Sequence, residues 1–122
     1  MTLYAAGKDD LDWNETVQSL NERYPLVVFS KSYCPYSQRA KALLSTYDLS
    51  PPPKIIEVDL RGESSLHVKH VLTRLTRHET FPNVIIRGKS IGGSDDLKKL
   101  HADRSLRRML EGAGMTIRSD VP

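Results

Sequence analysis

Cys34 is the only cysteine of this 122-residue chain, and it sits in the stretch FSKSYCPYS, residues 29–37. A cysteine can serve as a nucleophile, a metal ligand or a small buried hydrophobe, and its surroundings decide which. Here Ser32, Tyr33 and Tyr36 flank it, Pro35 follows directly, and Lys31 and Arg39 lie close by in the chain. Proline suits the first turn of a helix, where its missing N–H would be unpaired anyway. The pattern therefore puts Cys34 at a helix N-terminus. Free amides and about half a positive charge gather at such an end, and both favour thiolate, the nucleophilic form. A reactive thiol is the expectation; an inert buried cysteine is the alternative. Ser37 stands where a C-x-x-C redox site would carry its second thiol, so disulfide exchange here would have to run on one sulfur.

A second constellation lies at Gly92–Gly93–Ser94–Asp95–Asp96. Glycines let a backbone approach a ligand closely, and the amides of a following helix suit a carboxylate. Simple helix capping by Ser94 or Asp95 is the plainer reading of the same residues. The four histidines, His67, His70, His78 and His101, show no zinc-site spacing, so no metal site is expected from them.

These groups need a scaffold. Leu11, Val17 and Leu20, with Trp13, follow helical spacing and predict a helix over 10–23, ended by Pro25. Residues 26–30 form an apolar run of strand length, which predicts a strand buried on both faces. Ala40, Leu43, Leu44 and Tyr47 mark a second helix, stopped before Pro51–Pro52–Pro53, and 54–60 reads as a second strand. A third helix is expected over 64–76. Then come a strand at 83–87, a tight turn at Gly88–Lys89 and a short return at Ser90–Ile91. Residues 95–110 read as helix, in one piece or broken near Asp103, and closed by Gly112. A βαβ unit followed by a ββα unit builds one mixed sheet with helices on both faces. One domain over 1–122 is expected, with 1–9 and 115–122 as flexible ends.

Charge narrows the partners. Lys and Arg number 18 against 15 Asp and Glu, for a net charge of +3. The basic residues are dispersed and aromatics make up 7%, which argues against a nucleic-acid groove. No stretch approaches the roughly 18 consecutive apolar residues of a membrane span, and no signal peptide is visible.

Four blocks, FSKSYCPYS, KIIEVDL, TFPNVII and IGGSDDLKKL, occur in the order and spacing of a known family: from Pro25 to Leu110 the chain resembles a glutaredoxin. The resemblance implies an α/β protein of thioredoxin fold, with a four-stranded mixed sheet flanked by helices and a cis peptide before Pro82 facing the thiol. It implies glutathione as co-substrate and Cys34 as the catalytic residue. Thr80–Phe81–Pro82 resembles the family's Thr-Val-Pro element, whose backbone pairs with the cysteinyl part of glutathione like an added strand. Gly93, Ser94, Asp95 and Asp96 correspond to the grip on the γ-glutamyl end, Lys31 to a lysine that steers the glycyl carboxylate, and Tyr36 to a tyrosine beside the bound sulfur. Lys69 falls where many relatives carry a glutamine that reaches the same carboxylate; a solvated lysine is equally compatible.

The resemblance further implies a glutathione-dependent oxidoreductase that removes glutathione from glutathionylated proteins with one thiol, acting as a monomer. The alternative is a carrier of a glutathione-ligated [2Fe–2S] cluster shared between two subunits, each supplying Cys34 and one bound glutathione as ligands. Pro35 argues against it, because such carriers typically have a small residue there. The Cys-Pro-Tyr-Ser sequence resembles most closely the fungal monothiol branch of the secretory pathway, which implies the lumen of the Golgi or endoplasmic reticulum, with the cytoplasm as the alternative. Members of that branch carry an N-terminal anchor, and membrane contact is expected only through such a segment, outside this sequence.

Overall fold

In a computed structural model of the chain, residues 13–60 and 65–119 are described. Strand β1, Leu26–Ser30, is buried at all five positions, as its uninterrupted apolar run requires. It pairs in parallel with β3, Lys54–Glu57, and antiparallel with β4, Asn83–Ile86. β4 turns through Arg87 and Gly88 into β5, Lys89–Gly92, completing a mixed sheet of order β3-β1-β4-β5.

Because strand side chains alternate faces, β1 feeds two cores. Val27 and Phe29 join Ile85 and Ile56 under helices α1, Trp13–Arg23, and α3, Ser65–Thr76, which contribute Val17, Val68, Val71 and Leu72. Leu26 and Val28 face the opposite way. They meet Ala40 and Leu44 of α2 (Pro35–Ser45), Leu97 of α4 (Ser94–Ala102), and Leu106 and Leu110 of α5 (Ser105–Gly112). This is the thioredoxin fold expected from the sequence, with helices on both faces of a four-stranded sheet.

Several boundaries differ from expectation. The strand predicted to reach residue 60 ends at Glu57; Val58 turns into the core and 58–60 form a short 3₁₀ turn. The hairpin turn falls at Arg87–Gly88, both with positive φ (50° and 82°), and β5 runs on to Gly92. The last helical stretch follows the second of its two expected forms, broken at Asp103–Arg104, where Arg104 is left-handed at φ 70°. Its end is set two residues after Gly112, at Gly114 with φ 97°. There the amide of Gly114 bonds the Glu111 carbonyl and that of Met115 the Leu110 carbonyl, the paired bonds of a Schellman cap.

The C-terminal segment also differs. Met115 is buried, and β6, Thr116–Ile117, pairs antiparallel with β2, Leu49–Ser50, a strand the pattern did not reveal. Two-residue strands carry too few side chains to show a period. Residues 1–12, which include the expected flexible start and the first turn of the predicted helix, lie outside the described residues, as do 61–64 and 120–122.

Candidate active site

Cys34 occupies the position just before α2, with extended backbone (φ −83°, ψ 124°), and Pro35 opens the helix. The half-buried sulfur therefore faces free amides of the first turn. Hydrogen bonding from the Ser37 amide is the main force holding the thiol below its ordinary pKa, opposed by some desolvation. The Tyr36 amide, the Ser37 hydroxyl and the Lys31 charge push the same way. Ser37 is fully buried, and its Oγ also accepts the Lys31 N–H at 3.1 Å. The residue in the place of a second thiol thus ties the loop and supports the first thiol.

Across the sheet edge lies a groove of about 330 Å³ lined by Tyr36, His78, Thr80, Phe81, Pro82, Gly93, Ser94, Asp95 and Asp96. The Phe81–Pro82 peptide is cis, as is Ser50–Pro51. Gly93 packs so close to this turn that a Cβ there would come within 3.2 Å of the Pro82 carbonyl oxygen. Lys31 reaches over from the cysteine loop, with Nζ 5.1 Å from the centre of the Phe81 ring. Arg39, one turn into α2, stacks on Tyr36 at 5.2 Å. The loop, the 80–82 turn and the start of α4 therefore converge, although they are far apart in sequence.

Of the ten residues singled out around Cys34, eight line this groove and Lys31 borders it through Phe81. Lys69, half-buried on α3, is not among the lining residues. The capping assignment needs correction. Neither Ser94 nor Asp95 caps α4; Asp96 Oδ2 accepts the Gly93 N–H at 3.0 Å instead. Gly92, with φ 106°, makes room for that bond, since a Cβ there would sit 2.1 Å from the same oxygen. Asp96 thus has a structural duty as well as an exposed negative charge.

His78 is the groove residue that sequence reasoning missed. Its Nε2 lies 3.2 Å from the Pro82 carbonyl and 3.3 Å from Thr80 Oγ1. The available signal was proximity, two residues before Thr80. Among the described residues, no three His, Cys, Asp or Glu side chains cluster as metal ligands, so Cys34 alone could serve a [2Fe–2S] cluster.

The Glutaredoxin family profile matches residues 26–91. The chain is 36% identical over 94 residues to Glutaredoxin-C8 of Oryza sativa subsp. japonica, covering 77% of this chain and 68% of that protein. It is 41% identical over 85 residues to Monothiol glutaredoxin-S6 of the same plant, with 70% and 63% covered. To Monothiol glutaredoxin-7 of Saccharomyces cerevisiae it is 36% identical over 102 residues, with 83% and 50% covered. It thus spans about half to two-thirds of the length of these relatives. Among solved structures, the buckwheat glutaredoxin–glutathione complex is similar with a TM-score of 0.76 at 36% identity, over 84% of this chain and 90% of that one. The lone thiol at a helix head, the groove beside it and these matches agree: the chain belongs to the glutaredoxin family.

Proposed function

We propose that this chain is a glutathione-dependent thiol–disulfide oxidoreductase that resolves protein–glutathione mixed disulfides through Cys34 alone. The observation that carries the reading is the placement of Cys34 directly before α2 with Tyr36, two residues on, lining the groove; the Ser37 and Tyr36 amides hold its thiol below the ordinary pKa.

The chemistry balances with one protein thiol. The Cys34 thiolate attacks the glutathionyl sulfur; the mixed disulfide breaks, the substrate's thiolate leaves and takes up a proton, and Cys34 carries glutathione. A second glutathione thiolate then attacks that glutathionyl sulfur, forming glutathione disulfide and freeing Cys34 as thiolate. One free glutathione is consumed: its thiol sulfur is oxidised as it joins the glutathionyl sulfur in glutathione disulfide, and the substrate's sulfur is reduced to a thiol. Exchange of this kind requires a thiolate and access, with no second cysteine.

In this reading the exposed backbone at Phe81 pairs with the cysteinyl unit of glutathione, and the α4 amides at Ser94 and Asp95 take its α-carboxylate. Asp95 and Asp96 face the ammonium group, and Lys31 the glycyl carboxylate. Lys69, away from the groove lining, would contribute only through longer-range charge. Glutathione binding by the similar buckwheat protein supports this placement. Pro35, with φ fixed in the first turn of α2, weighs against the alternative of [2Fe–2S] carriage. The resemblance of Cys-Pro-Tyr-Ser to the fungal secretory branch supports a lumenal site of action, which protease protection of the tagged full-length protein in isolated vesicles would test.

The deciding experiment is glutathione-dependent reduction of a small glutathione mixed disulfide by the purified chain and by Cys34→Ser. Turnover is expected in the former and loss to background in the latter. Equal activity in both, or none in either, would overturn the proposal.

A further inference from the structure

The stretch from Ser30 to Cys34 leaves the sheet at the end of β1, and β3 ends opposite it at Glu57. Backbone pairing stops there, yet the register continues through side chains. In the parallel ladder Ser30 faces Glu57, and Ser30 Oγ donates to Glu57 Oε1 at 2.6 Å. Two residues further on both chains, Ser32 meets Asp59 with the same sequence offset. Its N–H donates to Asp59 Oδ1 at 2.7 Å and its Oγ–H to Asp59 Oδ2 at 2.5 Å. One carboxylate therefore uses both oxygens on one residue of the cysteine loop. On the other side, Gln38 Nε2 donates to the Ser32 carbonyl at 3.0 Å, and the Cys34 N–H to the Lys31 carbonyl at 3.0 Å.

We propose that Asp59 is a positioning residue for Cys34: through Ser32 it holds the 31–34 loop where the α2 amides and Lys31 reach the sulfur. Three features support this. The Ser32 hydroxyl, then its amide, keep the Asp59 carboxyl below the usual carboxylate range, so the acceptor is ionised wherever the enzyme would work. Lys31, which favours the thiolate, is one residue from the clamp and also feels the Asp59 charge. Finally, neither Glu57 nor Gln38 can replace Asp59. Glu57 is occupied by Ser30 and by Lys41 Nζ at 2.6 Å, and the Gln38 amide already serves the Ser32 carbonyl.

Among the described residues, the charged groups near the cysteine loop are few. Lys31 comes from its own loop, Asp59 from the turn after β3, and Arg39 from α2, where it stacks on Tyr36; Glu57 and Lys41 neutralise each other. Asp59 could act by position or by charge, and the two have opposite signs. Loss of position removes amides from the sulfur and raises its pKa; loss of a nearby negative charge frees Lys31 and lowers it.

The inference rests on Cys34 as the reacting thiol, and its test reads the sulfur without glutathione. Thiolate absorbance is titrated in the full chain, Asp59→Ala, Asp59→Asn and Ser32→Ala, with circular dichroism recorded on each. Asp59→Ala should raise the midpoint by about one pH unit and slow iodoacetamide labelling about tenfold at mildly acidic pH. Asp59→Asn, whose amide oxygen can accept the Ser32 N–H while its NH₂ meets Ser32 Oγ, should restore the wild-type midpoint. Should Asp59→Ala fail to fold, Ser32→Ala carries the test, since it loses only the hydroxyl bond and should give a smaller rise. An unchanged midpoint in the folded Ala variants, or a lowered one in Asp59→Asn, would overturn the proposal. The expected titrations without turnover of glutathione mixed disulfides would sink the oxidoreductase reading and leave this one standing.

Discussion

A thiolate at a helix head survives only while the amides around it stay aimed at the sulfur, and this makes Cys34 a gauge of its surroundings. Its folded pKa is lowered from that of a free thiol, chiefly by the Ser37 amide. The fold therefore gains stability from ionisation that is complete above that free value and disappears as pH falls through the lower folded one. Urea unfolding of the wild type and Cys34→Ala across that window should show the wild type gaining on the variant as pH rises. A constant difference would mean that the amides do not hold the thiolate. Asp96 presents a different problem, because its carboxylate caps the Gly93 amide while its charge is offered to a ligand. Asp96→Asn keeps an acceptor for the cap and removes the charge, so KM for glutathione should rise with little change in Tm. Asp96→Ala should raise KM and also cost about 1 kcal/mol of stability from the lost cap. An unchanged KM in both would remove Asp96 from the ligand site.

Among the elements, the end of α5 does more than stop a helix. Gly114 at φ 97° reverses the chain so that Met115 enters the core and β6 can pair with β2. Arg87 Nε closes the arrangement by donating to the Ala113 carbonyl at 2.8 Å, joining the hairpin turn to the helix end. A Cβ at Gly114 would meet Arg87 Nη2 at 3.1 Å in addition to the backbone strain. Gly114→Ala should therefore destabilise by about 1 kcal/mol or more, read as a lower urea midpoint, with Cys34 reactivity unaffected. Stability equal to wild type would show that this cap is dispensable. The sequence pattern indicated that a glycine ends this helix but pointed to Gly112. Both glycines follow the last apolar position, and only the paired amide bonds at 114 and 115 distinguish them.

For the whole molecule, the sheet divides the interior into two separate cores, and the active-site loop leaves it where β1 and β3 end. Leu72 lies in the core under α1 and α3, and Leu106 in the core under α2, α4 and α5. Each changed to Ala should cost about 2–5 kcal/mol. The double variant should equal the sum within about 0.5 kcal/mol, because the two sites share no partners. Coupling well beyond that in chemical denaturation would show that the sheet transmits packing changes between its faces.

What the residues determined by themselves was local. The buried run at 26–30, the proline after Cys34 and the glycines before Asp95 each carry their own conformational preference, so strand, helix head and helix opening were all legible. Eight of the groove residues could be listed too, because they belong to the blocks that carry the family resemblance. Pairings across distance were not legible. Neither the Ser32–Asp59 clamp nor the Asp96 cap is written in a period or a motif, since a carboxylate's partner depends on which donor the fold brings within about 3 Å. The same holds for His78, which joins the site only because 78–82 turns back on itself. Local chemistry followed from residue type, whereas the support of the thiol depended on contacts made by tertiary folding.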